Sequence, residues 1–467
     1  MNAVQGAKAG FFRKSSDVDM TSGSILRHII SFALPLLLGN LFQQFYNTVD
    51  TWVVGNYVSD SAFSAVGTVG PIINMLIGFF TGLSAGTGVV ISQYFGARQY
   101  TEVRESVHTA LVVTFFMSIL FTVVGILIVP WMLTLVNMPA ELVPEATTYL
   151  TIYFAGSFGL LFYNMGAGIL RAVGDSTRPF LCLVVCALAN TAMDLVLVLG
   201  LGKGVEGVAY ATLIAQLVSA ILVIILLMRS KSCIQVKLKW MKVNWRMLGK
   251  IIAMGIPAAI QNSIVNISNV FVQGYINFFK SDAMGGWTAY NKLDSLLWLP
   301  ASSISLAATT FVGQNMGKGQ ISRAKKGLWV SVGFCAACSV ILAIPLIIFA
   351  PYCVGFFNSN EAVIQAGTDI IHHLTPLYVI VCMNTVVLAA IRGAGKSKES
   401  MLIGIASYVG FRQLYLFIVS RVRNELIPIA MSYPAGWIFC LILWVILVWR
   451  MDWEKGVILR THKPEKS

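Results

Sequence analysis

Residues 32–55 read FALPLLLGNLFQQFYNTVDTWVVG. The stretch carries a single charge, Asp50, and as a helix it is long enough to cross the hydrocarbon core of a bilayer. Asn40, Gln43, Asn47 and Asp50 recur at steps of three, four and three, which sets them on one helical face. Turned to lipid, that face would strand amides and a carboxylate without partners, so it must look onto protein or water. A membrane span with an inward polar stripe is the element from which the rest of the reading follows.

The same hydropathy runs along the whole chain. Of 467 residues, 57% are hydrophobic and 11% charged, against about 25% charged in a soluble domain. A soluble enzyme is excluded. Apolar runs between polar or Gly/Pro breaks mark twelve spans, beginning near residues 27, 64, 106, 149, 179, 206, 249, 286, 327, 368, 400 and 427. The expected fold is therefore an all-α integral membrane protein. Its 33 Lys and Arg against 20 Asp and Glu give a net charge of +13, but the basic residues cluster in the loops of one side, as cytoplasmic loops do. This charge pattern excludes a nucleic-acid surface. It predicts a multi-pass protein of the plasma (inner) membrane with both termini in the cytoplasm, in contact with membrane lipid.

The expected plan has a polar cytoplasmic tail over residues 1–26, with no cleavable signal, and a six-helix bundle over 27–228. A basic cytoplasmic linker at 229–248, resting on anionic headgroups, leads to a second six-helix bundle at 249–451 and a cytoplasmic tail at 452–467. Most of the eight cysteines lie inside apolar runs, where Cys behaves as a small hydrophobe. Cys335 and Cys338 have the C-x-x-C spacing without a second pair, so no disulfide or metal framework is expected.

Sliding the chain on itself by about 221 residues gives three ordered matches. Leu26, Pro35, Asn40 and Asn47 match Leu248, Pro257, Asn262 and Asn269; Ser84, Gln93 and Gly96 match Ser305, Gln314 and Gly317; Arg171, Gly174 and Ser176 match Arg392, Gly395 and Ser397. Six helices per repeat is an even number, so the two bundles share an orientation and are related by a pseudo-two-fold along the membrane normal. Two such bundles facing one cavity are the architecture of an alternating-access transporter.

Ionisable groups inside spans are costly and are functional candidates by default. There are four: Asp50, Asp194, Asp294 and Arg412. Asn190 and Asp194 are one turn apart on the fifth helix, and counting about 1.5 Å per residue brings Asp50, Asp194 and Thr212 to similar depths in the outer half of the bilayer. Two carboxylates in a poorly hydrated site cannot both ionise cheaply, so they can hold a proton; the same oxygens could instead hold a hard cation such as sodium. The seventh helix keeps the polar stripe as Asn262, Asn266, Asn269 and Gln273, but Val272 stands where Asp50 would be. Both stripes are candidate walls of a substrate cavity. Asp294 and Arg412 reach similar depths and are read as a buried ion pair, either structural or part of substrate or proton handling. Residues 202–207 (GKGVEG) and 393–397 (GAGKS) mimic nucleotide motifs but join membrane helices, so no ATP chemistry, cofactor or catalytic residue is expected.

With these residues in place, the chain resembles the multidrug and toxic compound extrusion (MATE) transporters over nearly its whole length. The resemblance rests on residues 32–55, on ISQYFGAR (91–98) and ILRAVGDSTRP (169–179), and on GVEGVAYATLIAQ (204–216) and FVGQNMGKG (311–319). It implies a twelve-helix secondary antiporter, not an enzyme, that exports organic cations in exchange for protons or sodium ions and acts as a monomer. Within that family it resembles the branch with its ion site in the N-terminal bundle, which implies coupling roles for Asp50, Asn190, Asp194 and Thr212. The seventh-helix glutamate of the other branch is missing, with Ile264 and Val265 in its place. The alternative is a lipid or lipid-linked oligosaccharide flippase on a related fold. That activity would favour a cationic cavity, whereas these spans hold three acids and one arginine.

Overall fold

A computed structural model describes residues 17–58, 60–135, 138–279 and 281–458. The described chain is helical, without strands. The first half contains α1 (Ile25–Tyr57), α2 (Asp60–Gly96), α3 (Tyr100–Leu135), α4 (Val143–Ala155 continued by Ser157–Ala172), α5 (Thr177–Gly200) and α6 (Gly204–Arg229). The second contains α7 (Trp245–Ile276), α8 (Ser281–Gly317), α9 (Ile321–Ile348), α10 (Glu361–Gly393), α11 (Ser397–Val422) and α12 (Leu426–Arg450). Eleven are single helices of spanning length, and α4 is a pair bent by 46°, which makes twelve spans.

Each helix starts one to seven residues ahead of the apolar run that announces it. Helical hydrogen bonding continues through polar ends such as Tyr100 to Glu105, where water or headgroups can solvate the side chains. The repeat is visible in the backbone. The bend of α4 falls at Gly156, and at the matching place α10 tightens into a 3₁₀ turn, Thr375–Leu377. Pro35 and Pro257 both lie inside their helices, and Gly174 and Gly395 both adopt a left-handed backbone, with φ of +87° and +84°.

Lipid tails supply little hydrophobic force between spans, so close packing and hydrogen bonds must join the halves. The most extensive seam is α2 against α7. A methyl group on Gly82 would sit 2.5 Å from the Ala259 backbone, and one on Gly86 only 2.2 Å from Gly255 Cα. Side chains then bridge the seam: Asn262 donates to Gly78 O (3.2 Å), Ser263 to Met75 O (3.4 Å) and Asn266 to Asn74 O (3.3 Å). Across the pseudo-axis, Asn40 of α1 donates to Ser302 and Ser303 of α8. By the repeat register, Asn266 lies about 9 Å nearer the basic end than Asp50. The hydrogen bonds that Asn40, Asn262, Ser263 and Asn266 make between the halves lie at or below that level, which closes the molecule at its basic end.

Both terminal segments take part in that closure. Met20 and Trp453 are buried, so residues 17–22 and 452–458 of the two tails pack into the bundles. Residues 1–16 and 459–467 lie outside the described residues. The linker is only partly a surface segment, because its own Ile234 and Val236 are buried.

Candidate ion and substrate site

The polar stripe of α1 packs against α5, and this places Asp50 opposite Asp194. The two carboxylates face each other within hydrogen-bonding reach. Asp194 is sealed from solvent, whereas Asp50 is half-buried. Immediately after Asp194 the helix widens into a π turn, Leu195–Gly200, an irregularity that often accompanies functional sites. Asn190, one turn earlier, is 1% exposed. Neither Asp194 oxygen, nor Asp50 Oδ1, nor either amide atom of Asn190 has a hydrogen-bond donor or acceptor partner.

That arrangement is chemically specific. Ionised carboxylates only accept hydrogen bonds, so two of them can share a contact only through a proton or a bridging cation. No lysine, arginine or histidine forms an ion pair with either among the described residues. An unpartnered buried carboxylate is expensive, and a bound proton removes the charge. Sodium also fits the donor set, since Asn190 Oδ1 stands beside the carboxylates as a further free oxygen. No cluster of three or more His, Cys, Asp or Glu occurs among the described residues, so a cation here would draw on amide and hydroxyl oxygens as well.

The structure distributes the other candidates unevenly. Thr212 is half-buried on α6 and makes no hydrogen bond to the carboxylates. Gln43 is half-buried and Asn47 exposed on the α1 stripe, and Asn269 is half-buried with its carbonyl oxygen unpartnered. Asn40, Asn262 and Asn266 serve as struts between the halves, their amide nitrogens donating to the facing helices. Gln273 accepts from Trp287 Nε1 at 2.9 Å and donates to Asn277, which fixes it inside the second half. Val272 is fully buried, so the Asp50 position of the second half is apolar core.

The expected ion pair of Asp294 and Arg412 is corrected. Arg412 donates to Ser268 Oγ at 2.6 Å and lies over the Tyr433 ring, 4.8 Å from its centroid. Asp294 accepts from Tyr290 OH at 3.4 Å, and Tyr378 OH donates to its backbone carbonyl. Equal depth therefore did not mean contact; an aromatic wall separates the two groups. The sequence reading missed Tyr149 and Tyr153, both buried on α4 with rings stacked at 6.4 Å beside the carboxylate pair. Their spacing of four was the available signal.

Two pseudo-symmetric six-helix bundles, closed at one end over an intramembrane acidic pair, define a polytopic membrane transporter. The chain belongs to the MatE family, whose model matches residues 35–196 and 257–418, one copy in each half. It is 25% identical over 445 residues to a probable multidrug resistance protein of Bacillus subtilis, covering 94% of this chain and 96% of that one. A FAD transporter of Shewanella oneidensis is 24% identical over 353 residues, covering 74% of this chain and 77% of that one. Among solved structures, one described as the outward-facing conformation of a multidrug resistance MATE family transporter superposes with a TM-score of 0.87. It is 21% identical and covers 94% of this chain and 98% of that one.

Proposed function

We propose that the protein exports lipophilic organic cations from the cytoplasm in exchange for protons or sodium ions, by alternating access of a site between the two bundles. The observation that carries this reading is the sealed Asp194 carboxylate facing Asp50 with no cationic partner. With the basic end open, a cation enters between the bundles, attracted by the two acids and accommodated by apolar and aromatic walls. After reorientation to the arrangement described above, an external proton or sodium ion reaches Asp50 and then Asp194. At an effective dielectric of about 20, one carboxylate about 4 Å from a cation contributes about 4 kcal/mol. Neutralising it weakens cation binding roughly a thousandfold, which is enough to release the cargo. Bending of α1 at Pro35 accompanies the change.

This places the coupling site in the N-terminal bundle, on Asp50, Asn190 and Asp194 with Thr212 nearby, and leaves the protein working as a monomer with its basic end in the cytoplasm. The acidic pair disfavours an anionic cargo such as a flavin dinucleotide or a lipid-linked diphosphate. The test is uptake of a fluorescent cation into proteoliposomes under a pH gradient alone and a sodium gradient alone. Transport driven by one gradient and abolished in Asp194→Asn supports the proposal. Transport of the cation that is unchanged in Asp50→Asn and Asp194→Asn overturns the site.

A further inference from the structure

Where the linker meets the start of α3, a cavity of about 690 Å³ opens at the basic end, lined by Arg104, His108, Lys239, Trp240, Lys242 and Arg246. The three-residue turn Leu238–Trp240 organises it. His108 accepts the Lys237 backbone N–H at Nε2 and thereby ties the linker to α3, and Arg104 lies over Trp240 at 4.6 Å. The one acid on the lining, Glu105, is engaged by the Asn244 amide at 2.8 Å. Arg104, Lys239, Lys242 and Arg246 form no ion pair among the described residues. On the rim, Leu238 is 74% and Trp245 79% exposed, at the start of the membrane-spanning helix α7. Unpaired cations around a cavity call for an anion, and bare Leu and Trp beside them call for acyl chains.

We propose that this cleft binds the phosphate of an anionic phospholipid of the adjacent leaflet. Protein in nanodiscs or detergent is titrated with phosphatidylglycerol, phosphatidylcholine and inorganic phosphate, with native mass spectrometry and melting temperature as readouts. Phosphatidylglycerol should bind selectively, and Lys239→Gln, Lys242→Gln and Arg246→Gln should each weaken it about fivefold. Arg229→Gln, outside the cleft, should leave it unchanged. Equal binding of the two lipids, selectivity that survives the triple variant, or stabilisation by inorganic phosphate alone overturns the proposal.

A separate set of contacts concerns the terminal segments. Gln93 and Gln314 are repeat mates, both fully buried. Gln314 Nε2 donates across the interface to Ala172 O (3.1 Å) while its Oε1 accepts the Met20 N–H (2.9 Å). Gln93 Nε2 donates across to Gly393 O (3.1 Å) while its Oε1 accepts the Ile458 N–H (2.9 Å). Each terminal segment also lies on the left-handed glycine of a repeat loop: a methyl group on Gly174 would meet Val18 O at 2.5 Å, and one on Gly395 would meet Gly456 O at 2.0 Å. Lys318 and Arg323 hold the first segment through Thr21, Met20 and Ser22, and Lys250 holds the second through Ile458 O.

We infer that residues 17–22 and 452–458 are matched latches that hold the basic end closed and must unseat for it to open. This rests on the alternating-access reading. A reporter cysteine replaces the buried Thr87 in a background without native cysteines, and an impermeant maleimide is applied from the basic side. Deleting residues 1–22 or 452–467, or making Gln93→Ala or Gln314→Ala, should raise the labelling rate several-fold, with the paired changes exceeding either single one. If the wild type changes its labelling with the ion gradient and the variants match it, the latch is overturned. If the wild type never responds to gradient or substrate, alternating access itself fails.

Discussion

At the scale of single residues, the two carboxylates are unequal. Asp50 is half-buried and Asp194 sealed, so under the proposed coupling an incoming ion meets Asp50 first. Asp194→Asn keeps the shape of the side chain and removes the ionisable group. It should cut gradient-driven efflux at least about tenfold while expression and melting temperature stay near wild type. Asn190→Ala separates the ions: under sodium coupling it removes a free oxygen ligand and should raise the sodium concentration for half-maximal transport about tenfold, and under proton coupling it should leave the pH profile in place. Asp294 and Arg412 test the correction. A double-mutant cycle on Asp294→Asn and Arg412→Gln should give a coupling energy below about 1 kcal/mol, because the partners are separate; breaking a true buried pair costs about 3–5 kcal/mol. The acids were legible in the sequence because charge inside a span is rare. Their partners were not, because depth along a helix says nothing of rotation toward a neighbour, and so Arg412 was matched to Asp294 and not to Ser268 and Tyr433.

At the scale of elements, the spans announce themselves by hydropathy, and the seam between them does not. Gly78, Gly82 and Gly86 recur every fourth residue along α2, which marks a face of small residues. That pattern does not name the helix that will lie on it. In the structure α7 does, with Gly255, Ala258 and Ala259 at closest approach. The same seam explains why Asn262 and Asn266 read as cavity residues: their stripe is real, but one edge of it meets the α2 carbonyls. Gly86→Leu places a branched side chain where even a methyl group lies 2.2 Å from backbone. Overpacking of this kind costs about 1–3 kcal/mol, and here the cost falls on the closed arrangement. The variant should expose the basic end, measured as faster labelling of the Thr87→Cys reporter, and should lower the melting temperature less than the labelling change alone would suggest if the bundles simply part.

At the scale of the whole molecule, the proposed alternating access requires that two rigid halves exchange one set of contacts for another. The repeat already implies this, since a pseudo-two-fold along the membrane normal gives each half an equivalent surface at the seam. The proline and the left-handed glycine recur in both halves, and only the first keeps the acid at the Asp50 position. Under the proposed coupling, a symmetric frame thus carries an asymmetric load, with either bundle able to rock and only one sensing the ion. Fixing the halves together should therefore stop transport without touching the ion site. A Cβ on Gly78 would lie 3.6 Å from Asn262 Cβ, within the span a disulfide bridges. Gly78→Cys with Asn262→Cys, in a background lacking native cysteines, should cross-link on mild oxidation. Oxidised protein should lose efflux and keep ion binding at Asp50 and Asp194, read as proton uptake or sodium-dependent stabilisation, and reductant should restore transport. Full efflux through the cross-linked form would mean that this seam stays shut throughout the cycle and that the cargo passes by another route.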